Sequence, residues 1–395
     1  MRILVLSFYY PPDLSAGSPR IAALVDELRD QMPAGSHIDV VTTLPNRYSS
    51  FAADAPSHEE RPGVSIHRIA LRRHNSGMLD QSLAFWRFAR VALVTIKNRK
   101  YDLVFATSSR LMTAALAGWV ARREKARLYL DIRDIFVDTI KDVLPRAVAR
   151  PLKHMSSALE RLVMRRADKV NLVSPAFLDY FAARYPGQRF SCFTNGVDDA
   201  FARAAPAASC PSPRHAGADT ITVLYAGNIG EGQGLHLIVP ALARQLGGRA
   251  QFRIFGDGGR RGELIMALQA GRITNVEVLP PVDRGRLLEA YRTSDVLFVH
   301  LNDYPAFERV LPSKLFEYAA MGKPVLAGVS GFAAGFVQSE IENAAVFRPC
   351  DVAGAIRALN ALRLEDAPRA GFVAKYTRTA ISRRMAQDVL SVAAG

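Results

Sequence analysis

The sequence predicts an α/β protein built from two doubly wound, mostly parallel sheets. Three observations support this prediction. Short apolar runs alternate with stretches of helical periodicity along nearly all of the 395 residues, as in parallel sheets with helices on both faces. A chain of this length is too long for one ordinary core. A segment rich in Ala, Pro and Ser at 204–218 has the composition of a linker and divides the chain near its middle.

The individual elements are predicted from apolar runs and from the Gly, Pro and polar residues that end them. In the first half the predicted strands lie at 3–7, 38–42, 64–69, 102–106, 127–131 and 167–174, with helices from about 19 and at 111–122. In the second half the predicted strands lie at 220–226, 250–255, 276–279, 295–301 and 325–329. One predicted helix follows the loop at 227–234 and ends at residue 246, and two others span 284–293 and 374–392.

Composition and charge exclude several classes of protein. The three cysteines are scattered and form no C-x-x-C pair, so neither a zinc ribbon nor a disulfide framework is expected. No stretch of about 18 consecutive apolar residues exists, so we expect a cytoplasmic protein without a transmembrane helix. The eight histidines show no ligand spacing, and we expect no protein-bound metal. The net charge is +14, mostly from the first half, which favours nucleic acid or anionic lipid as a partner there.

The most informative stretch spans residues 311–324 and reads LPSKLFEYAAMGKP. Pro312 suits the first turn of a helix. Ser313 and Lys314 would lie at the helix start, where free N–H groups favour an anion, and Glu317 would lie one turn deeper. This layout suits a nucleoside diphosphate, with its phosphates outside and its ribose hydroxyls further in. The alternative is an ordinary helix with a surface lysine and glutamate.

Two glycine-rich loops follow predicted strands of the second half. Residues 227–234 read GNIGEGQG, and residues 256–259 read GDGG. Neither is a Rossmann fingerprint or a P-loop, so each alone is equally consistent with a tight turn. Together with the helix start at 312–317 they favour a phosphorylated ligand, because the carboxyl ends of parallel strands share one edge of a sheet.

Two groups of charged residues are candidates for chemistry. Glu308 and Arg309 precede the helix and suit contact with a sugar ring or a phosphate; the alternative is a surface ion pair. Asp131 and Asp134 follow a buried strand of the first half and suit a base or a group that orients a hydroxyl. The alternative for these carboxylates is capping of the next helix.

Two basic segments of the first half mix apolar with cationic side chains at helical spacing. The first contains Trp86, Arg87 and Arg90, and the second contains Arg150 and Lys153. This composition suits helices that lie on an anionic membrane face. The alternative is a packed helix with a solvated basic side.

Taken together, these motifs resemble the retaining family-four glycosyltransferases, nearly from end to end. Pro11-Pro12 with Ala16-Gly17-Ser18 is similar to the N-terminal glycine loop of that family, and Asn195-Gly196-Val197-Asp198 to its motif before the linker. Tyr225-Ala226-Gly227-Asn228 and Phe255-Gly256-Asp257-Gly258 are similar to its two loops in the second domain.

The resemblance implies the GT-B fold, in which two Rossmann-like domains face each other across a cleft. The expected limits are 1–204 for an acceptor-binding domain, 205–218 for a linker and 219–367 for a nucleotide-sugar-binding domain. Residues 368–395 are expected to form a helix that crosses back to the first domain.

The resemblance also suggests roles for the candidate residues. Glu317 would hold the ribose, while Lys314 and the backbone amides at Ser313, Gly227 and Gly230 would stabilise the leaving diphosphate. Glu308 or Arg309 would contact the donor sugar, and Asp131 or Asp134 would orient the acceptor hydroxyl. The other residues expected in the donor site are Gly17, Asn228, Gln233, Gly256, Asp257 and Pro312.

The chain departs from the family pattern in three respects. Asn228 and Gln233 stand at or near places where the family often has an arginine and a lysine. Arg309 occupies the first position of a usual glutamate pair. The segment from Asp131 to Asp134 lies where the family commonly has a histidine. Lys314 is therefore expected to balance more of the diphosphate charge than the corresponding lysine does in relatives.

The expected activity is transfer of a sugar, with retention at the anomeric carbon, from a UDP-sugar such as UDP-N-acetylfucosamine to a lipid-linked saccharide. The glycine loop and the Pro-Ser-Lys-x-Phe-Glu-Tyr motif resemble an O-antigen and capsule branch that includes fucosamine transferases. We expect a hexosyl- or N-acetylaminosugar transferase at the inner face of the cell membrane, without a metal, another cofactor or a nucleic-acid partner. The alternatives are a non-hydrolysing sugar-nucleotide epimerase of the same fold and a non-catalytic polyanion-binding protein.

Overall fold

The computed structural model describes residues 1–15, 17–46, 54–71, 78–108, 111–135, 146–205 and 220–394, with the backbone alone for 78–81, 146–152 and 394. The chain divides into two compact units, Met1–Asn195 with Arg378–Gly395, and Gly196–Thr377. Each unit has its own sheet with helices packed on it, so the prediction of two doubly wound α/β domains is confirmed. Within the described residues, no helix combines the length and the apolar character needed to cross a membrane.

The sheet of the first unit has eight strands in the order β3-β4-β2-β1-β5-β6-β7-β8. β3 pairs antiparallel with β4, and the other neighbours pair in parallel. The strands are Arg2–Leu6 (β1), His37–Thr43 (β2), His58–Arg61 (β3), Val64–Ile69 (β4), Leu103–Ser108 (β5), Arg127–Ile132 (β6), Lys169–Leu172 (β7) and Phe190–Ser191 (β8). β1 and β5 are buried along almost their whole length, because helices cover both faces of the sheet.

Helices cover the two faces of this sheet in two groups. They are Ser18–Gln31 (α1), Met78–Thr95 (α2), Leu111–Glu124 (α3), Arg146–Arg166 (α4), Leu178–Arg184 (α5) and, from the other end of the chain, Arg378–Ala394 (α14). α1 and α14 pack together over Ile3, Val5 and Phe105. α2 packs on β4, and α3 packs on β5, β6 and α4. Right-handed crossovers place α2, α3 and α4 on the face opposite α1.

The sheet of the second unit has six parallel strands in the order β11-β10-β9-β12-β13-β14. They are Ile221–Asn228 (β9), Ala250–Asp257 (β10), Val276–Leu279 (β11), Val296–His300 (β12), Val325–Gly328 (β13) and Ala344–Phe347 (β14). Successive residues of β9 enter different cores. Val223 and Tyr225 belong to one apolar cluster, and Leu224 and Ala226 to the other. This alternation is expected for a strand with helices on both sides.

In its described residues the second unit has eight further helices, together with two 3-10 helices that bear on the site. The helices are Asp199–Ala204 (α6), Leu235–Leu246 (α7), Arg261–Ala270 (α8), Arg284–Arg292 (α9), Lys314–Ala320 (α10), Gly331–Glu340 (α11), Val352–Ala361 (α12) and Ala370–Lys375 (α13). The 3-10 helices are Glu231–Gln233 and Pro305–Arg309.

The limits of the two units differ from the expected domain limits. The chain enters the second unit after Asn195 rather than near 204, because Phe201 of α6 packs in the core of that unit. It leaves the unit after Thr377 rather than near 367. The helix expected at 374–392 is two helices, since α13 ends at Lys375 and α14 begins at Arg378. Apart from its first residue, the expected linker lies outside the described residues.

Candidate functional site

The two glycine-rich loops lie side by side at the carboxyl ends of β9 and β10. A Cβ atom at Gly256 would lie 1.9 Å from the carbonyl oxygen of Gly227. A Cβ atom at Gly258 would lie 2.6 Å from the carbonyl oxygen of Ile229. Neither position has room for a side chain, so glycine is required for one loop backbone to lie against the other.

Polar side chains hold both loops in shape. The Nδ2 atom of Asn228 donates to Oε1 of Gln233 at 2.7 Å, and the same oxygen accepts from the N–H of Gly230 at 3.3 Å. In the second loop, Oδ1 of Asp257 accepts from the N–H of Gly258 at 2.8 Å. The five residues are therefore close together, but their polar groups are engaged within their own loops.

Lys314 and Glu317 meet beside the first glycine loop. Nζ of Lys314 lies 2.9 Å from Oε2 of Glu317, one turn along α10. The Lys314 side chain passes over Gly227, where an added Cβ atom would lie 3.5 Å from its Cε. The two side chains are 25% and 16% exposed. A cation and a carboxylate are thus held next to the loop that is predicted to bind phosphate.

Tyr291 on α9 joins this pair and was not predicted from the sequence. Its hydroxyl lies 3.3 Å from Oε2 of Glu317 and 3.4 Å from Nζ of Lys314. Its ring is fully buried between Phe201 and Tyr318. Burial and the nearby carboxylate raise the pKa of Tyr291 well above its usual value, so the phenol stays protonated and can donate. We call Lys314, Glu317 and Tyr291 the lysine–glutamate–tyrosine cluster.

The helix that carries Lys314 begins later than expected. Pro312 and Ser313 precede α10, and their carbonyls accept from the N–H groups of Leu315 and Phe316 at 3.1 and 3.2 Å. The prediction that Pro312 lies in the first helical turn is wrong, because these bonds span three residues and form a tighter turn. Only a short helix follows this turn, so its dipole is small and the Lys314 charge dominates.

The far end of α10 is fixed by Arg369, which is buried. Its guanidinium donates to the carbonyls of Ala319 and Lys323, both at 3.1 Å, and to that of Glu342 at 2.8 Å. Burial lowers the pKa of Arg369 to about 10. Gly322 has the predicted left-handed backbone, with φ of 70°. These contacts hold α10 in place against the strands that carry the loops.

Glu231 anchors the outer part of the first glycine loop. Its carboxylate accepts from Nε of Arg260 at 2.6 Å and from the hydroxyl of Tyr304. Burial alone would raise the pKa of Glu231, but these two partners lower it. Asn302 donates to the backbone carbonyl of Glu231 at 3.0 Å. Arg260, which follows the second loop, is thus engaged with the first.

Glu308 and Arg309 lie in the 3-10 helix Pro305–Arg309. The Glu308 side chain is exposed and that of Arg309 is half-buried. Phe307, which precedes them, fills the space over Gly232, where a Cβ atom would lie 2.9 Å from the ring. Glu308 and Arg309, which are predicted to contact the sugar, therefore directly follow a residue that packs on the first glycine loop.

His300, at the end of β12, is a buried structural residue. Nδ1 lies 2.7 Å from the carbonyl oxygen of Gln233, and Nε2 accepts from the N–H of Cys350 at 3.0 Å. Burial lowers the pKa of His300 to about 4, so the ring is neutral and joins the first glycine loop to the sheet edge. Within the described part of the chain, no three His, Cys, Asp or Glu side chains are grouped as metal ligands would be.

The two candidate carboxylates of the first unit have different surroundings. Asp131 is buried and accepts from Arg20 at 3.0 and 3.2 Å and from Asn171 at 2.7 Å. Burial alone would raise the pKa of Asp131, but the charge and hydrogen bonds of Arg20 lower it. Asp134 is exposed. Asp134 is therefore the more accessible of the two carboxylates, whereas Asp131 holds Arg20 in place.

Gly17 lies at the start of α1 and faces Arg133. A Cβ atom at Gly17 would lie 3.6 Å from Cζ and Nη1 of Arg133. That Nη1 atom is buried and has no hydrogen-bond partner among the described residues. α1 has no acidic residue in its first turn. The start of α1 is therefore positive in character.

The predicted membrane-facing residues lie on α2 and α4. Trp86, Arg87 and Arg90 are exposed on α2, and the Arg90 guanidinium lies 5.6 Å from the centroid of the Trp86 ring. Lys153 is half-buried on α4. The side chain of Arg150 lies outside the described residues.

Two protein families match successive parts of the chain. Residues 16–196 match the glycosyl transferase 4-like domain, and residues 213–379 match the glycosyl transferases group 1 domain. The second match contains both glycine-rich loops and the lysine–glutamate–tyrosine cluster. The first contains Asp131, Asp134 and the helices α1 to α4.

Individual relatives are distant but span most of the chain. "Putative colanic acid biosynthesis glycosyl transferase WcaI" of Escherichia coli (strain K12) is 24% identical over 338 residues, which cover 82% of each chain. The crystal structure of Anabaena Alr3699/HepE in complex with UDP has a TM-score of 0.63 and 16% identity, over 99% of this chain and 100% of that one. The trehalose 6-phosphate synthase of Burkholderia multivorans has a TM-score of 0.68 and 16% identity, over 100% and 97%.

Proposed function

Since it carries these two domains, the chain is a glycosyltransferase of the GT-B fold, and we propose that it transfers a sugar from a UDP-sugar to a lipid-linked saccharide. The observation that carries the proposal is the lysine–glutamate–tyrosine cluster beside the glycine-rich loops. A carboxylate for the ribose and a cation for the diphosphate lie one helical turn apart. The solved relative in complex with UDP supports uridine diphosphate as the nucleotide.

Glu317 binds the ribose in this proposal. Its Oε2 atom is held by Lys314 and Tyr291, which orients the carboxylate. Among the described contacts its Oε1 atom receives none, so it can accept from a ribose hydroxyl. A carboxylate held from one side accepts neighbouring hydroxyls without first having to be ordered.

Lys314 stabilises the leaving diphosphate. An ammonium group has three donors, and here two directions are taken by Glu317 and Tyr291. The third remains for a phosphate oxygen near Gly227. Because charge builds on the diphosphate as the sugar leaves, this contact is stronger in the transition state than with the intact donor. The backbone N–H groups of the loop add to it.

The chemical step exchanges one C–O bond at the anomeric carbon for another. The bond to the β-phosphate oxygen breaks, and its electron pair leaves with UDP. The acceptor hydroxyl oxygen bonds to the same carbon on the same face, with retention of configuration. The hydroxyl proton passes to the departing diphosphate or to Asp134, which orients the acceptor. No metal ion takes part, since lysine and backbone dipoles balance the charge.

Specificity rests on residues around the loops. Glu308 or Arg309 contacts the donor sugar, for which an N-acetylaminosugar such as N-acetylfucosamine is proposed. The name of the colanic acid relative supports an acceptor in surface polysaccharide assembly, such as O-antigen or capsule. The protein then acts at the inner face of the cell membrane, where the lipid-linked acceptor is presented.

The cluster is tested with Lys314→Ala and Glu317→Gln by calorimetric titration of UDP and of uridine. Loss of a hydrogen bond to a charged group costs about 1.5–3 kcal/mol, or roughly 10- to 150-fold in affinity. Glu317→Gln should weaken both ligands, because both contain the ribose. Lys314→Ala should weaken UDP more than uridine, because uridine loses only the orientation of Glu317 by Lys314, whereas UDP also loses the contact with its phosphates.

Lys375→Ala is the matched control, because it also removes a lysine paired with a glutamate, Glu340, in the same unit. It should bind UDP as the parent does. UDP binding at full affinity in both cluster variants would refute the assignment of the donor site.

A further inference from the structure

Arg133 is an arginine without a partner at the carboxyl edge of the first sheet. It directly follows β6, and its side chain is half-buried. Its guanidinium makes no hydrogen bond or ion pair with the described residues, although its Nη1 atom is buried. Buried polar groups of proteins are nearly always paired, so an arginine in this state points to a ligand that pairs with it.

A second unpaired polar group lies close by in the chain. Ser18, the first residue of α1, is fully buried, and its hydroxyl has no hydrogen-bond partner among the described residues. Ser18 follows Gly17, the residue that the guanidinium of Arg133 faces. Two groups that can donate a hydrogen bond therefore adjoin Gly17 without a protein acceptor.

The charges around Arg133 favour an anion. Arg20 and Asp131 form a buried ion pair with each other, at 3.0 Å, so neither is available to Arg133. Burial lowers the pKa of Arg133, and the charges of Arg20 and Arg378 lower it further. Asp131 and Asp134 act in the opposite direction, but Asp134 is exposed and forms no ion pair with Arg133. An arginine does not lose its proton in a protein, so its charge has to be balanced by other means.

The part of the guanidinium that solutes can reach has the shape of a fork. Among its three nitrogens only Nη1 is buried, which leaves Nε and Nη2 accessible. Two parallel N–H groups of an arginine match two oxygens of a phosphate or of a carboxylate. The ligand class is therefore an oxyanion.

We propose that Arg133 forms an anion subsite in the first unit and that this subsite takes a phosphate group of the acceptor. The inference rests on the proposed function, in which the next residue, Asp134, orients the acceptor hydroxyl. Because the two residues are consecutive, the phosphate and the reacting hydroxyl belong to one short stretch of the acceptor. A saccharide joined to its lipid through phosphate has this chemistry at its first sugar. The donor also carries phosphates, but Lys314, their proposed cation, belongs to the second unit.

The subsite is tested by melting curves in sodium phosphate and in sodium chloride of equal ionic strength. Phosphate should raise the melting temperature of the parent, because an anion that binds only the folded protein stabilises it. In Arg133→Met the affinity for phosphate should fall about 10- to 150-fold, the usual loss for a hydrogen bond to a charged group. Arg122→Met is the matched control. It removes an exposed arginine of α3 from the same unit and should bind phosphate as the parent does.

Melting without phosphate separates a ligand-binding arginine from a structural one. Arg133→Met should then melt at the temperature of the parent or above it, because it removes a half-buried charge that has no partner. A lower melting temperature would show that Arg133 stabilises the fold and would overturn the proposal. Arg133→Lys keeps the charge but not the fork, so its loss of phosphate affinity should be intermediate.

Saturating UDP separates the two sources of phosphate. Since UDP occupies the donor site, phosphate should stabilise the UDP-bound parent as much as the free parent. Competition between the two would assign Arg133 to the donor diphosphate and overturn the acceptor subsite. Equal stabilisation by sodium acetate would overturn the assignment to phosphate, and unchanged phosphate affinity in Arg133→Met would overturn the subsite itself. The titration without UDP does not involve the lysine–glutamate–tyrosine cluster, so failure of the subsite and failure of the donor site are distinguishable.

Discussion

Removal of a single hydroxyl, in Tyr291→Phe, tests whether the lysine–glutamate–tyrosine cluster binds the ribose. The ring should remain packed on Phe201 and Tyr318, so the variant should still fold. Oε2 of Glu317 loses a donor at 3.3 Å, which is long for a hydrogen bond from a hydroxyl. The cost should therefore lie near the lower end for charged partners, about 1.5 kcal/mol, or roughly tenfold in affinity for UDP and for uridine.

A double-mutant cycle determines whether the hydroxyl acts through Glu317. In the Glu317→Gln background, Tyr291→Phe should have little further effect, because the charged acceptor is gone. Tyr376→Phe is the control, since Tyr376 also lies beside a lysine–glutamate pair, Lys375 and Glu340, and should not affect UDP binding. Equal weakening of UDP binding by Tyr291→Phe in both backgrounds, or unchanged binding of uridine, would contradict a role of the hydroxyl through Glu317.

Three further predictions concern stability. Asp131→Ala leaves the Arg20 charge buried without its partner and should lower the free energy of unfolding by about 3–5 kcal/mol in urea titrations; a change below about 1 kcal/mol would contradict the buried ion pair. Gly256→Ala should lower the melting temperature by several degrees because its methyl group meets a carbonyl of the neighbouring loop, whereas Gly262→Ala, in open space on α8, should be neutral or stabilising. The pKa of His300 is about 4 in the folded protein and 6.5 for an ordinary histidine, so its contribution to the free energy of unfolding is complete above pH 6.5 and declines by about 3 kcal/mol as the pH falls to 4. His300→Gln should flatten this decline. An unchanged pH profile of stability in that variant would refute the role of His300 as a buried neutral residue.

Apolar runs and glycine positions were enough to predict the fold class and most strands. Short strands such as Phe190–Ser191 cannot be predicted in this way, because two residues show no periodicity. The last helix was predicted as one element, since its apolar spacing continues across the break at residues 376–377. Phe201 was assigned to the wrong side of the boundary, because composition marks a linker but not which core the preceding helix enters.

In the candidate site, contacts between residues that are close in the sequence could be predicted, whereas contacts made from another helix could not. Lys314 and Glu317 are one turn apart on any helix, so their meeting was foreseeable. Tyr291 reaches them from another helix, and its place in the sequence does not indicate that its hydroxyl donates to Glu317. Asp131 could not be told from Asp134 until the burial of Arg20 against one of them was known.

The discontinuity of the first unit has a consequence for its biosynthesis. α14 supplies Met385 and Val389 to the apolar core over β1 and β5, and its Asp388 accepts from Tyr129 at 2.7 Å. Those residues leave the ribosome after the whole second unit, although the strands they cover leave it before that unit. One face of the first sheet therefore stays incompletely covered while the second unit is synthesised. Domains made of one continuous segment can instead fold in the order in which they leave the ribosome. A fragment that ends at residue 195 should aggregate unless the last helix is supplied to it.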